Sequence, residues 1–179
     1  NAFNFILTVL LIDMLKGNLH LRIDDLDKNR TKKAYIDDIF FQLEWLGISY
    51  DAGPSSPDEL CSKYSQQLRK ESYFEKINVL KNSGMLYACD CSKSKIKKIS
   101  KNGIYSGICR DKNLDFFKSD VSWRIHVPEN TIVQMKMYSN KYKKINVSKT
   151  FGDFILKRKD DLPSYQIVSL IDDIELGVN

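Results

Sequence analysis

Three cysteines are the residues best equipped for chemistry. Cys89 and Cys91 form a C-x-C pair, seventeen residues separate Cys91 from Cys109, and Tyr105 stands four positions before Cys109. Two thiols one residue apart at the end of a strand can both reach one ion, and Zn²⁺ favours soft thiolates in a closed tetrahedral shell. Three cysteines leave that shell one donor short. His20 and His126 are remote in sequence, so Tyr105 or a water has to complete it. A phenolate is an uncommon ligand, because its pKa of about 10 must be lowered by the metal. Without a metal, the same residues are three unrelated thiols. Cys61, on a predicted helix, reads as a small apolar filler.

These residues need a scaffold, and the hydrophobic pattern supplies one. Residues 2–16 read as an apolar helix stopped by Gly17, and Leu19–Ile23 as a strand. An amphipathic helix follows over 31–46, with apolar positions Tyr35, Ile39, Leu43 and Leu46. A second long helix is predicted over 61–83, with Tyr64, Leu68 and Leu80 among its apolar positions. Leu86–Cys89 reads as a strand and 92–101 as a Lys-rich helix capped by Ser92. Residues 121–127 and 131–137 look like a pair of strands, 141–149 a basic loop, 154–158 a strand and 164–176 a helix. Alternating helices and strands argue for an α/β domain with a mostly parallel sheet. The stretch 85–150, poorer in long helices, looks like an insert within that domain, between parts 1–84 and 151–179.

Composition narrows the class. The 179 residues are 42% hydrophobic and 28% charged, with net charge +5, which fits a globular protein and excludes a disordered tail. The apolar run from Phe3 to Leu15 is too short to span a bilayer and is interrupted by Asp13, so a buried helix is expected. No basic segment precedes it, so no export signal is read and the cytoplasm is the expected compartment. The chain starts on Asn1 and ends on Leu176-Gly177-Val178-Asn179, and both ends read as cut. Lys93, Lys95, Lys97, Lys98, Lys101, Lys141, Lys143, Lys144 and Lys149 could touch an RNA backbone or simply be solvated.

Four motifs in register carry a resemblance to a known family. Leu21-Arg22-Ile23-Asp24-Asp25-Leu26-Asp27 with Arg30 resembles the L-R-I-E-D-x-D…R segment of glutamyl-tRNA synthetases. Leu43-Glu44-Trp45-Leu46-Gly47-Ile48 matches their L-x-W-L-G-I/L, and Tyr50-Asp51-Ala52-Gly53-Pro54 their D-x-G-P. Phe154 to Gln166, with Ile171-Asp172-Asp173, resembles D-F-V-I-x-R-x-D-G-x-P-x-Y-x-L followed by V-D-D. The resemblance implies a Rossmann-like class I aminoacyl-tRNA synthetase catalytic domain carrying a small zinc-binding insert. The C-x-C…Y-x-x-x-C arrangement is similar to the zinc site of glutamyl-queuosine tRNA(Asp) synthetases, which implies Cys89, Cys91, Tyr105 and Cys109 as ligands of a structural Zn²⁺.

The same resemblance implies the other roles. Asp24 takes the place of a Glu that contacts the substrate's α-ammonium, and is one methylene shorter. Tyr165 takes the place of a Tyr that hydrogen-bonds the glutamate. Asn1 would be the last residue of the H-x-G-H/N motif that binds ATP. Arg22 and Arg30 are expected to brace the loop through Asp25 and Asp27, while Asp172 and Asp173 orient nearby groups or face solvent. The implied reaction is ATP- and Mg²⁺-dependent activation of L-glutamate and its transfer to tRNA, foremost to queuosine of tRNA(Asp). Two alternatives are a fragment of a standard glutamyl-tRNA synthetase charging the tRNA 3′ end and an inactive RNA-binding module. Residues 1–179 alone are expected not to activate glutamate.

Overall fold

The computed structural model describes residues 2–100, 102–137 and 139–178, so Asn1 lies outside the described residues. The chain divides into two compact units, Asn1–Glu71 and Ser72–Asn179.

The first unit opens on α1 (Ala2–Leu15). The expected burial of this helix is not found: it has no buried residue, and Phe3, Leu10 and Met14 are largely exposed. The helix is apolar all round, so it has no polar side to leave outward. No helix among the described residues is long and apolar enough to cross a membrane. Leu19–Ile23 contributes an isolated parallel bridge, His20 to Ala52, instead of the expected strand. Leu21 N–H donates to the Ala52 carbonyl at 2.8 Å and Asp51 N–H to Leu19 at 2.8 Å. Gly53 makes this approach possible, because a Cβ there would lie 2.4 Å from the Leu21 carbonyl oxygen.

Helix α2 (Lys33–Trp45) buries Ile36 and Leu43. The expected apolar stripe is rotated by one position, since Tyr35 is exposed and the core gathers Ile23, Ile36 and Leu60 with Ile39 and Phe40 against them. Positions 36, 39, 40 and 43 follow the i, i+3, i+4, i+7 rule better than the spacing through Tyr35. A short helix α3 (Pro57–Glu59) comes first, and the predicted single helix over 61–83 is divided among a π turn (Leu60–Tyr64), a 3₁₀ turn (Gln66–Arg69) and α4 (Lys70–Asn82). Ser65 causes the break: its backbone is extended, and it caps the next turn by accepting from Gln67 N–H at 3.1 Å.

In the second unit, β1 (Leu86–Cys89) is followed by α5 (Lys93–Ile99), β2 (Ser122–Ile125), β3 (Ile132–Lys136) and β4 (Tyr142–Asn146). Then come α6 (Val147–Phe151), β5 (Ile155–Lys157) and α7 (Tyr165–Glu175). The sheet order is β1-β2-β5, both pairs antiparallel, with β3-β4 a separate antiparallel ribbon. The mostly parallel sheet is therefore not found among the described residues, where parallel pairing is limited to the bridges His20–Ala52 and Tyr105–Gly152. The two strands expected over 121–127 and 131–137 are present as β2 and β3, but they lie in different sheets. Residues 141–149, expected as a loop, supply β4, which is close enough in sequence to close a hairpin on β3, whereas β2 is buried and takes β1 and β5.

Candidate functional site

The cysteine cage is built from the end of β1 and the loop that leads to β2. Strand alternation puts Tyr87 and Cys89 on one face of the sheet, and the register Tyr87↔Arg124, Cys89↔Ser122 puts Arg124 on that face too. Cys91, two residues beyond Cys89, faces the same centre. The thiol sulfurs of Cys89, Cys91 and Cys109 all lie within 4.8 Å of one another. Cys91 Sγ is 3.5 Å from Cys109 Sγ. The Tyr105 hydroxyl lies 3.3 Å from Cys89 Sγ and 3.8 Å from Cys91 Sγ. It also accepts the Cys109 N–H at 3.0 Å. All four residues are at most 5% exposed.

Metal–sulfur bonds of about 2.3 Å in a tetrahedron place sulfurs about 3.8 Å apart. The thiol and phenol spacings cluster around that edge, so the donor set fits a tetrahedral ion. Asp90 approaches from outside, with its carboxylate 3.4 Å from Cys109 Sγ and 3.5 Å from Lys112 Nζ.

Burial pushes Cys91 up to about 11, with the Cys109 thiol adding to the effect. Burial and the neighbouring thiols also raise Tyr105. Cys89 is held below the ordinary thiol value: burial opposes ionisation, but bonds from Tyr105, the Cys91 amide and Arg124 outweigh it.

The cage rests on a polar knot that sequence reasoning missed. Asp153 is fully buried and receives Arg110 through two bonds of 2.6 and 2.7 Å, the Tyr87 hydroxyl at 2.5 Å and the Val127 N–H at 3.0 Å. These partners bring its carboxyl below the usual range despite the burial that opposes ionisation. The neighbouring Gly152 holds φ at 61°, and a Cβ there would meet the Tyr105 carbonyl oxygen at 2.5 Å. The one local hint of this role was an Asp following a Gly ahead of an apolar strand, because its partners are 43 and 66 residues away.

In the first unit, Asp24 Oδ1 accepts from Arg22 Nε at 2.9 Å and from Gln66 Nε2 at 2.9 Å. Arg22 engages Asp24 at 2.9 Å and Arg30 lies against Asp27 at 3.6 Å. Asp25 is buried and turned to Ser65 Oγ at 2.5 Å and Gln66 N–H at 2.7 Å. It satisfies a free donor at the start of the 3₁₀ turn, as a capping carboxylate does. Asp24 lines a cavity of about 390 Å³ with Phe5, Leu21, Asp38, Gln42 and Leu46.

In the second unit, Tyr165 is the first residue of α7 and 63% exposed. Asp172, left open by the sequence, is buried and accepts the Tyr73 hydroxyl at 2.7 Å. The structure brings the four cage residues together. Asp24 and Tyr165 belong to different units.

The family described as tRNA synthetases class I (E and Q), catalytic domain, matches residues 2–179. The chain belongs to this family. A glutamate–tRNA ligase of Desulfosudis oleivorans is 33% identical over 173 residues, covering 91% of this chain and 34% of that protein. A glutamyl-Q tRNA(Asp) synthetase of Pseudomonas fluorescens is 30% identical over 162 residues, covering 90% of this chain and 50% of that protein. The chain therefore spans between a third and a half of the length of these synthetases. The crystal structure of a glutamate tRNA ligase from Elizabethkingia meningosepticum, in complex with its amino acid, superposes with a TM-score of 0.66 at 21% identity, covering 92% of this chain and 36% of that one. That likeness shows the fold, and with the family match it gives the α/β fold of a class I synthetase catalytic domain.

Proposed function

We propose that the intact protein activates L-glutamate with ATP and Mg²⁺ and passes the glutamyl group to tRNA. The observation that carries this reading is the match of residues 2–179 to the synthetase catalytic domain, with relatives named for glutamate on both sides of the family. The glutamate carboxylate attacks the α-phosphate of ATP and pyrophosphate leaves; a tRNA hydroxyl then attacks the carbonyl of the glutamyl-adenylate and AMP leaves. The protein's part is positioning and charge stabilisation. Asp24, held in place by Arg22 and Gln66, takes the role of the family's contact to the α-ammonium, and Tyr165, at the start of α7, takes that of the family's glutamate-binding tyrosine. Asn1 completes an ATP-binding motif.

Residues 85–150 form the zinc-bearing insert between catalytic parts 1–84 and 151–179, and Cys89, Cys91, Cys109 and Tyr105 are the ligands. A bound Zn²⁺ supplies structural cross-linking and the positive charge that stabilises thiolate and phenolate donors. Four cysteines without a disulfide suit a reducing cytoplasm.

For the acceptor, the three-cysteine, one-tyrosine cage supports queuosine of tRNA(Asp). The relative at 33% identity named glutamate–tRNA ligase favours a second reading, charging of the tRNA 3′ end. Glutamate-dependent ATP–pyrophosphate exchange by the intact protein tests the activation step. No exchange overturns it and leaves an RNA-binding module. Charging tRNA(Asp) with and without queuosine, beside tRNA(Glu), then separates the two acceptors.

A further inference from the structure

Arg124 lies on β2 and is only 5% exposed. A guanidinium this deep needs an anion, since an unpaired buried charge is strongly unfavourable. The carboxylate of Asp153, whose backbone carbonyl it touches, does not serve it. The Asp153 carboxylate is taken by Arg110, Tyr87 and the Val127 amide, and Arg124 Nη1 donates instead to the Asp153 backbone carbonyl at 2.7 Å. Nε has no hydrogen-bond partner among the described residues. What the guanidinium faces is the cage: its central carbon sits 3.9 Å from the centre of the Tyr105 ring, and the phenol oxygen of that ring is 3.3 Å from Cys89 Sγ.

We propose that Arg124 is the positioning residue and counter-cation of the cage, stacked on Tyr105 so that the phenol points at the three thiols and the surplus negative charge of the closed shell is offset. The inference rests on the zinc reading. Three thiolates and a phenolate around a divalent ion leave two negative charges in a dry site, and a buried guanidinium on the ring face is placed to balance part of them. Lys112 also lies near the cage, but it is half-exposed and engaged with Asp90. A neutral side chain at position 124 would leave the shell charge uncompensated and the Tyr105 ring without its platform. A lysine would keep the charge but lose the planar stack. Partners outside the first ligand shell of a metal typically alter its affinity by about 10–100-fold.

The test uses the intact protein and reads zinc affinity by competition with a chromophoric chelator, with circular dichroism confirming the fold of each variant. Arg124→Met is expected to weaken zinc binding by about 10–100-fold, and Arg124→Lys to fall between it and the unaltered protein. Tyr105→Phe weakens binding by itself, and adding Arg124→Met to it costs little more, because the two residues act as one unit. If Arg124→Met unfolds the protein, the Arg124→Lys and Tyr105→Phe pair gives the same cycle. Affinity within about twofold of the unaltered protein in both Arg124 variants overturns the proposal, as does full additivity with Tyr105→Phe. If the unaltered protein binds no zinc, the zinc reading itself fails and takes this inference with it.

Discussion

The Tyr73 hydroxyl donates a 2.7 Å hydrogen bond to Asp172, joining α4 to α7 across 99 residues of sequence. Both residues are buried, at 0% and 1% exposure. A carboxylate this deep depends on its donors, so Tyr73→Phe is expected to cost about 1.5–3 kcal/mol. Urea unfolding checks it, and an unchanged midpoint with an unchanged slope rules the contribution out.

Asp153 gathers Arg110, Tyr87 and the Val127 amide. Asp153→Ala strands a guanidinium and a phenol inside the second unit and should destabilise by about 3–5 kcal/mol, the usual result of breaking a buried pair from one side. Tyr87→Phe, which leaves the ion pair intact, should cost far less. Equal losses in the two variants by thermal unfolding would contradict the central place given to the ion pair.

Glu59 titrates at about 2, held down from 4.5 by the Ser55 hydroxyl, then the Ser55 amide and the Lys63 ammonium. Its folded pKa lies below its unfolded one, so the stability it contributes is fully present above pH 4.5 and lost as pH falls towards 2. A carboxyl ¹³C titration should show a midpoint near the lower value, and Glu59→Gln should soften the acid limb of the stability profile. A midpoint at the ordinary Glu value refutes the assignment.

The cage makes a metal prediction independent of catalysis. The intact protein should carry one zinc, and a strong chelator or Cys109→Ser should lower the melting temperature as the β1–β2 connection loosens. Elemental analysis showing no zinc in protein purified without chelator would remove the metal.

Asp24→Ala should raise KM for glutamate about 10–100-fold, the loss of a charge-assisted hydrogen bond of about 1.5–3 kcal/mol. Tyr165→Phe removes a neutral bond of about 1 kcal/mol and should raise it about fivefold. Steady-state pyrophosphate exchange measures both, and unaltered KM in the two variants excludes them from the amino-acid site.

The sequence alone determined the elements whose causes are local. The C-x-C spacing already placed Cys89 and Cys91 together, because a strand end holds near neighbours side by side, while Tyr105 and Cys109 joined them through the family resemblance. The strand Leu86–Cys89 and the helix closed by Gly177 were legible from periodicity and stop signals. Only the tertiary structure decided which strands pair, that Ser65 and Asp25 divide the helix expected over 61–83, and that Arg124 lies on Tyr105. The reason is physical: periodicity records which side of an element is apolar, whereas strand partners and buried charge pairs are chosen by contacts between residues distant in sequence. Arg124 and Asp153 look like ordinary surface charges until the sheet closes, and then the cost of burying a charge unpaired fixes what each must face.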